Sequence, residues 1–487
     1  MTSEQNQTIL RAIIAALPED TSPHGETPQP RHVYVPPSHI KALRLECGLV
    51  IGGRGVGKTF WSAALRSDLI RRMLGDSVPD LSRITVHTGY SEHPHLDAYP
   101  DADVFKSLLE NGYEAYHIWR AVIARWLAEI VFGSMPQEKW IDSTKQIKDD
   151  PEQFGRLLER ANNELGSRNE YGLIVFDALD RLGGDDWHRM DRIVRDLLRV
   201  VLSLKPFQRL HGKVFLREDQ FAGRQVMDFT DASKLLATKV ELTWGALDLH
   251  GLLWQYLCNA PEAHGETLRQ LYNSTISDPP LRTIDGVWTL EEYVKRHEGV
   301  HRWLFAALAG KQMGRDHRRG VPYTWSVGHL ADGRGHTSPR SFLAAIRAAA
   351  EDSQDRYPGH FHPLHYESIK RGVQKASAIR VSELAEDYPW VKTLMEPLGG
   401  VTVPCSFDTI EERWMEKLGE SPQKIAFVSL PPEHYEEGWH GVRRDLDALG
   451  IFERMIDGRV NMPDLYRVGF GLGRRGGVRP IPKLGKE

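Results

Sequence analysis

The sequence predicts an α/β protein: a parallel sheet with helices on both faces, then a helical lid, then a C-terminal α+β unit. Three observations predict it. A glycine-rich turn joins a strand-like run to helical spacing in "LVIGGRGVGKTFWSAAL", Leu49–Leu65. Apolar runs ending on charged residues recur at "YGLIVFDALDRL" and "KVFLRED" with helical spacing between them, the alternation of a parallel sheet covered on both sides. Beyond Leu242 the pattern becomes mainly helical.

At 487 residues the chain exceeds the roughly 250 to 300 at which single cores stop growing. Hydrophobic residues make up 41% and charged residues 26%, which excludes bulk disorder. A net charge of -4 confines any nucleic-acid site to a local patch. Cys47, Cys258 and Cys405 stand far apart with no C-x-x-C pair, so reduced thiols are expected rather than zinc or redox chemistry. No basic leader and no apolar run of bilayer length is seen, and the expectation is a cytoplasmic protein that engages no membrane.

In chain order, "TILRAIIAAL" (residues 8–17) reads as an amphipathic helix and "PEDTSPHGETPQPRHVYVPPSH" as an extended lead-in. Residues 1–30 form this N-terminal part and residues 31–242 the sheet domain. Within it, strands are expected over Leu45–Ile51, Arg83–Tyr90, a run ending on Asp177, and Lys213–Leu216. Residues 104–133 and "DRIVRDLLRVVLSL" read as helices. Residues 243–352 form the lid, including "GALDLHGLLWQYL", "TLEEYVKRHEGVHRWLFAALAG" and "SPRSFLAAIRAAAEDS". Residues 353–487 end in a helix and two strand-like runs around Asp457-Gly458, a hairpin signal and the way a winged-helix unit ends.

The turn after the first strand fits G-x-x-x-x-G-K-[ST] from Gly52 to Thr59. In such a loop glycines let successive N–H groups point at phosphate oxygens, and the next helix adds its positive end. The cradle is Gly52, Gly53, Arg54, Gly55, Val56, Gly57, Lys58, Thr59 and Phe60, with Lys58 reaching the outer phosphates and Thr59 ligating Mg²⁺. The lead-in then either lies against the base of the nucleotide or is a plain linker. Asp177, ending an apolar strand, is the second Mg²⁺ residue. ATP and Mg²⁺ are therefore the expected cofactors. Ala178 stands where many ATPases place Glu, which points to slow turnover. Asp180 is the nearest acid to orient the attacking water, with Asp185 and Asp186 farther on; alternatively, Asp180 pairs with Arg181 or another basic side chain. Arg217, at a strand end, is suited to sense the γ-phosphate. Arg340, at a helix start in the lid, is suited to reach back to the phosphates.

At "GGRGVGKT", "LIVFDALDRL", "KVFLRED" and "SPRSFLAAIRAA" the chain resembles the additional-strand P-loop ATPases, the AAA+ class with its STAND and KAP relatives, over roughly residues 31 to 352. The resemblance implies Arg217 as the sensor-1 residue, Arg340 as the sensor-2 residue, and a lid followed by a winged helix. It also implies ATP hydrolysis, separate partner proteins or another copy of the chain, and a setting in conflict systems such as antiphage defence. No repeat array follows the winged-helix region.

Arg467, Arg474, Arg475, Arg479, Lys483 and Lys486 crowd the C-terminus and make DNA contact one reading, docking within the protein the other. Arg318 and Arg319 read as a solvated basic loop or as fingers into a neighbouring subunit. His360, His362 and His365 read as surface histidines. The sequence thus predicts a nucleotide-driven switch, with a DNA-associated motor or loader as the alternative.

Overall fold

A computed structural model describes residues 2–19, 27–75, 77–136, 138–183, 186–223, 225–314, 316–427, 430–475 and 478–480. Asp185, Lys483 and Lys486 lie outside them. The chain divides into two compact units. One holds the described residues of Pro23–Pro30 and Pro37–Leu242, the other those of Met1–Ser22, Arg31–Pro36 and Thr243–Glu487.

The first unit is built on five strands: β1 (Leu49–Gly52), β2 (Ile84–Tyr90), β3 (Tyr171–Phe176), β4 (Leu210–Arg217) and β5 (Val240–Glu241). They lie in the order β2-β3-β4-β1-β5, and every pairing is parallel. The sheet is apolar on both faces. Leu49, Ile51, Ile174, Phe176, Val214 and Leu216 join one core with the helices Ala115–Phe132, Pro151–Ser167 and Trp187–Leu202. The alternate residues Val50, Leu173, Val175 and Phe215 are equally buried on the opposite side. Trp119 crosses from one helix to another, its indole donating to the Ile193 carbonyl at 3.0 Å.

Register places the site. Gly52 lies beside Arg217, Phe176 beside Val214, and Ile51 beside Glu241. The chain therefore brings the phosphate loop, the β3 end and the β4 end to one edge of the sheet, where ligands of open parallel sheets sit.

Several elements differ from their expected limits. The strand expected to start at Lys213 begins at Leu210, and Lys213 itself is wholly buried. Its ammonium donates to the carbonyls of Ala42, Arg44 and Cys47, so a charged residue interrupts the apolar pattern without interrupting the strand. The expected helix over 104–133 is two, Ala102–Glu110 and Ala115–Phe132, parted at Gly112 with φ +83°. β5 is only two residues long, too short for a period-two pattern.

The second unit is mainly helical. Its first helix, Ser3–Ala16, starts at a Thr2 capping box and buries Ile9, Leu10 and Ile13. Arg347, from the helix Pro339–Arg356, donates to the carbonyls of Ile14 and Leu17 at that helix's end. A hairpin of β6 (Arg282–Ile284) and β7 (Val287–Thr289), not expected from sequence, turns at Asp285-Gly286. The expected helix through 289–310 breaks at His297 into Glu292–Arg296 and Glu298–Ala309.

Toward the C-terminus come the helices Tyr366–Asp387, Pro389–Met395, Phe407–Leu418 and Trp439–Ala448, then β8 (Glu453–Arg454), β9 (Val460–Asn461) and the helix Asp464–Phe470. Cys405 bridges antiparallel to Val460, adding a third strand position to the β8–β9 hairpin. Arg467 belongs to the core and not to a basic surface: wholly buried, it is salt-bridged to Asp464 and donates to the carbonyls of Leu472 and Val478. His365 is also buried, stacked on Tyr357 at 3.6 Å, and caps the helix that follows. Cys47 and Cys258 are buried free thiols, and Cys405 is half-buried. Among the described residues no helix is long and apolar enough to cross a membrane.

Candidate nucleotide site

Backbone geometry explains the glycines of the loop. Gly55 and Gly57 have φ of +78° and +102°, a region that disfavours side chains. Gly52 is required by space, because a Cβ there would lie 2.6 Å from Val56 Cγ2. The helix Lys58–Arg66 begins directly after Gly57, so its unpaired N–H groups face the loop's concavity.

Lys58 sends Nζ to the carbonyls of Gly52 at 2.8 Å and Gly53 at 2.7 Å. Burial, aided by the Arg217 charge, lowers its pKa to about 8 against the pull of Asp177, Asp219 and Asp180. Asp177 is 4% exposed. Burial raises its pKa, while hydrogen bonds from the Thr59 hydroxyl and the Ala178 N–H, with the Lys58 charge, oppose the rise. A hydroxyl and a carboxylate in direct contact are the hard oxygen donors that suit Mg²⁺. Thr59 and Asp177 therefore fit the metal that the motif implies.

The position after Asp177 carries backbone strain. Ala178 adopts φ +56°, ψ +35°, a conformation costing an alanine roughly 1 to 2 kcal/mol. It starts the short turn Leu179–Arg181, which carries Asp180 to the sheet edge.

Asp180 and Arg217 are partners. Arg217 Nη1 lies 3.5 Å from Asp180 Oδ2, and the same guanidinium is held by Asp219 through Nε at 3.2 Å and Nη2 at 3.3 Å. Arg181 instead bonds Glu92 at 2.9 Å. Of the two pairings open for Asp180, the one with a different basic residue is present. Asp186 is occupied elsewhere, capping the helix Trp187–Leu202 through the His188 and Arg189 N–H groups.

Lys58, Thr59, Asp177, Asp180 and Arg217 thus assemble within one unit. Arg340 belongs to the other, at the start of the helix Pro339–Arg356, where Glu383 of the helix Tyr366–Asp387 bonds it at 2.8 Å. Sequence reasoning missed Asp219 and Gln220; the latter accepts the Arg217 N–H at 3.1 Å and closes the β4 end. The acidic run after "KVFLR" was the available signal. Also missed was His39 of the lead-in, whose buried Nδ1 accepts the Trp61 indole N–H at 3.1 Å, fastening the lead-in to the helix of the phosphate loop.

Strand order, phosphate loop and strand-end aspartate together are those of a P-loop nucleoside triphosphatase fold with β4 inserted between β1 and β3. No protein-family model and no curated protein matches the chain. Solved structures similar to it include a Walker-type ATPase of Pyrococcus abyssi, at 12% identity and TM-score 0.36 over 88% of this chain and 91% of that one. The Aeropyrum pernix ORC2 protein in ADPNP–ADP complexes is similar at 14% identity and TM-score 0.37 over 86% and 84%. The Aeropyrum pernix ORC1 protein in complex with DNA is similar at 16% identity and TM-score 0.31 over 85% and 83%. Identities and scores this low say nothing about the site, whose character rests on the residues described above.

Proposed function

We propose that the protein binds Mg-ATP at the loop Gly52–Phe60, hydrolyses it slowly, and acts as a nucleotide-driven switch for partner proteins or further copies of itself. The contact between the Thr59 hydroxyl and the Asp177 carboxylate carries this reading, because it joins the two Mg²⁺ residues beside Lys58. Lys58 would exchange the loop carbonyls for phosphate oxygens, and Arg217 would meet the terminal phosphate from the strand next to the loop. Ala178 offers no carboxylate, and Asp180 is shared with Arg217, so turnover should be slow. Arg340 would serve as the second sensor only by leaving Glu383. The resemblance to STAND and KAP proteins supports a role in antiphage defence.

Two measurements test this. Purified protein should bind ATP with Mg²⁺ and change oligomeric state, or gain a partner, when it does so. Absence of ATP binding would sink the reading. Asp180→Asn should lower turnover about tenfold while leaving ATP affinity unchanged, below the usual contribution of a well-placed acid or base because Asp180 is shared. An unchanged rate would move the water-positioning role elsewhere.

A second reading, a DNA-associated ATPase, is favoured by the order helix, Cys405 bridge, two helices and hairpin, which supports a winged helix. Against it, Arg467 is buried, Arg443 faces Asp447, and Arg444 faces Glu437. DNA-stimulated hydrolysis with a steep salt dependence would favour this second reading.

A further inference from the structure

The helix Trp187–Leu202 carries a feature that the nucleotide site does not use. His188, Arg189, Arg192, Arg195 and Arg199 fall within an arc of about 120° at about 100° per residue, a stripe about 17 Å long at 1.5 Å per residue. The opposite face of the helix, including Ile193, Val194, Leu197 and Leu198, is buried in the core. Arg192 and Arg199 are exposed. Among the described residues no carboxylate pairs with Arg189 or Arg192. Asp196 falls within the same arc, buried, and holds Arg195 at 3.3 Å and Arg199 at 3.1 Å, so two of the guanidinium groups share one negative charge.

The stripe runs into a cavity of about 450 Å³ lined by Arg195, Arg199, Tyr116, Phe229 and Thr230. The Tyr116 ring orients the cations, with the Arg199 guanidinium 4.6 Å and that of Arg120 5.5 Å from its centre. Asp228 stands exposed at the same cavity.

We propose that this face binds a single nucleic-acid strand, the arginine stripe along its phosphates and a base in the cavity against Phe229. The chemistry selects this ligand. Guanidinium forks match phosphate oxygens in pairs, and a straight row of them suits a repeating anion. A neighbouring cavity with an aromatic wall adds what single-strand sites use in addition to charge, a surface on which a base can stack. A membrane surface is disfavoured because the apolar side of this helix is already buried. The site belongs wholly to the sheet unit and is separate from the C-terminal basic residues.

Fluorescence anisotropy with a labelled oligothymidylate, without nucleotide, tests the proposal independently of the ATPase reading. The double variant Arg192→Glu/Arg199→Glu should bind at least about tenfold more weakly and lower the salt slope by about 1.4, the share of two phosphate contacts on a single strand. Phe229→Ala should weaken binding about 5- to 150-fold. Asp228→Asn, which removes a repelling charge and nothing from the core, should tighten it a few-fold. Unchanged affinity and slope in the double variant would overturn the proposal. Polyglutamate binding as tightly as the oligonucleotide would overturn it as well, assigning the face to an acidic protein. Duplex binding as tight as single-strand binding would overturn the role of the cavity.

Discussion

Two lysines at opposite ends of the β1–β4 pair make the same kind of contact under different conditions. Lys58, in the glycine loop at one end, rests on the Gly52 and Gly53 carbonyls, among Asp177, Asp180, Asp219 and Arg217. Lys213, at the other end, rests on the Ala42, Arg44 and Cys47 carbonyls and is wholly buried. Burial lowers the pKa of both. What separates them is access. The partners of Lys58 belong to a partly exposed loop, where a phosphate could displace them, whereas those of Lys213 are held around a wholly buried ammonium by residues 42–47. A lysine that sits on carbonyls is thus a ligand-binding group or a structural pin according to whether water and anions can reach it.

The largest expected effect comes from Lys213→Ala. Three carbonyls would lose their donor, each costing about 1 to 3 kcal/mol when buried, so urea unfolding should show a loss of about 3 kcal/mol or more. A loss under about 1 kcal/mol would break the contrast. Next, Lys58→Ala should weaken ATP binding about 100-fold by calorimetry, the order expected for lost charge-assisted bonds, with little change in the unfolding midpoint. Unchanged ATP affinity would remove Lys58 from the phosphate site.

A pH series sharpens the same comparison. Free Lys58 loses its proton near pH 8, while a phosphate-bound lysine must carry it. Above about pH 8, binding should therefore take up close to one proton, and affinity should fall about tenfold per pH unit. Below it no uptake is expected. Calorimetry in buffers of different ionisation heat reads this directly, and a Lys58→Arg variant should lose the dependence. The sign for stability follows as well: a lysine pKa lowered by folding means that stability rises as pH increases from about 8 toward the ordinary lysine value. The smallest effect is expected from Ala178→Gly, where relief of the left-handed backbone is largely offset by the entropy of glycine, leaving a gain within about 0.5 kcal/mol. Destabilisation beyond about 1 kcal/mol would mean that the alanine methyl packs in a way the strain does not reveal.

Much of the candidate nucleotide site was legible because its signals are local. Eight consecutive residues carry the loop, and an apolar run ending on Asp177 needs only its own pattern to be read. Other readings failed where a residue's meaning depends on distant neighbours. Lys213 read as a strand start because a cation inside a buried strand makes sense only once the carbonyls of Ala42, Arg44 and Cys47 surround it. Arg467 also read as part of a basic tail; its partners are near in sequence, Asp464 and the Leu472 and Val478 carbonyls, but only the packing turns them inward around it. The arginine stripe matches no local motif, and it stands out only once the opposite face of its helix is buried.

By itself, then, the sequence determined the strand–loop–helix, the acid at the end of β3 and the basic end of β4, since each follows from short-range steric and hydrophobic pattern. Only tertiary structure decided the strand order that sets Arg217 beside Gly52, the sharing of Arg217 between Asp180 and Asp219, and the left-handed turn at Ala178. It also decided which charged side chains face water and which are pinned inside. The physical reason is common to all of these. All are set by how the elements pack: the strand order and the Arg217–Asp180 and Lys213 contacts join segments tens to hundreds of residues apart, and even pairs near in sequence, Arg217–Asp219 and Arg467–Asp464, have no local pattern that announces them.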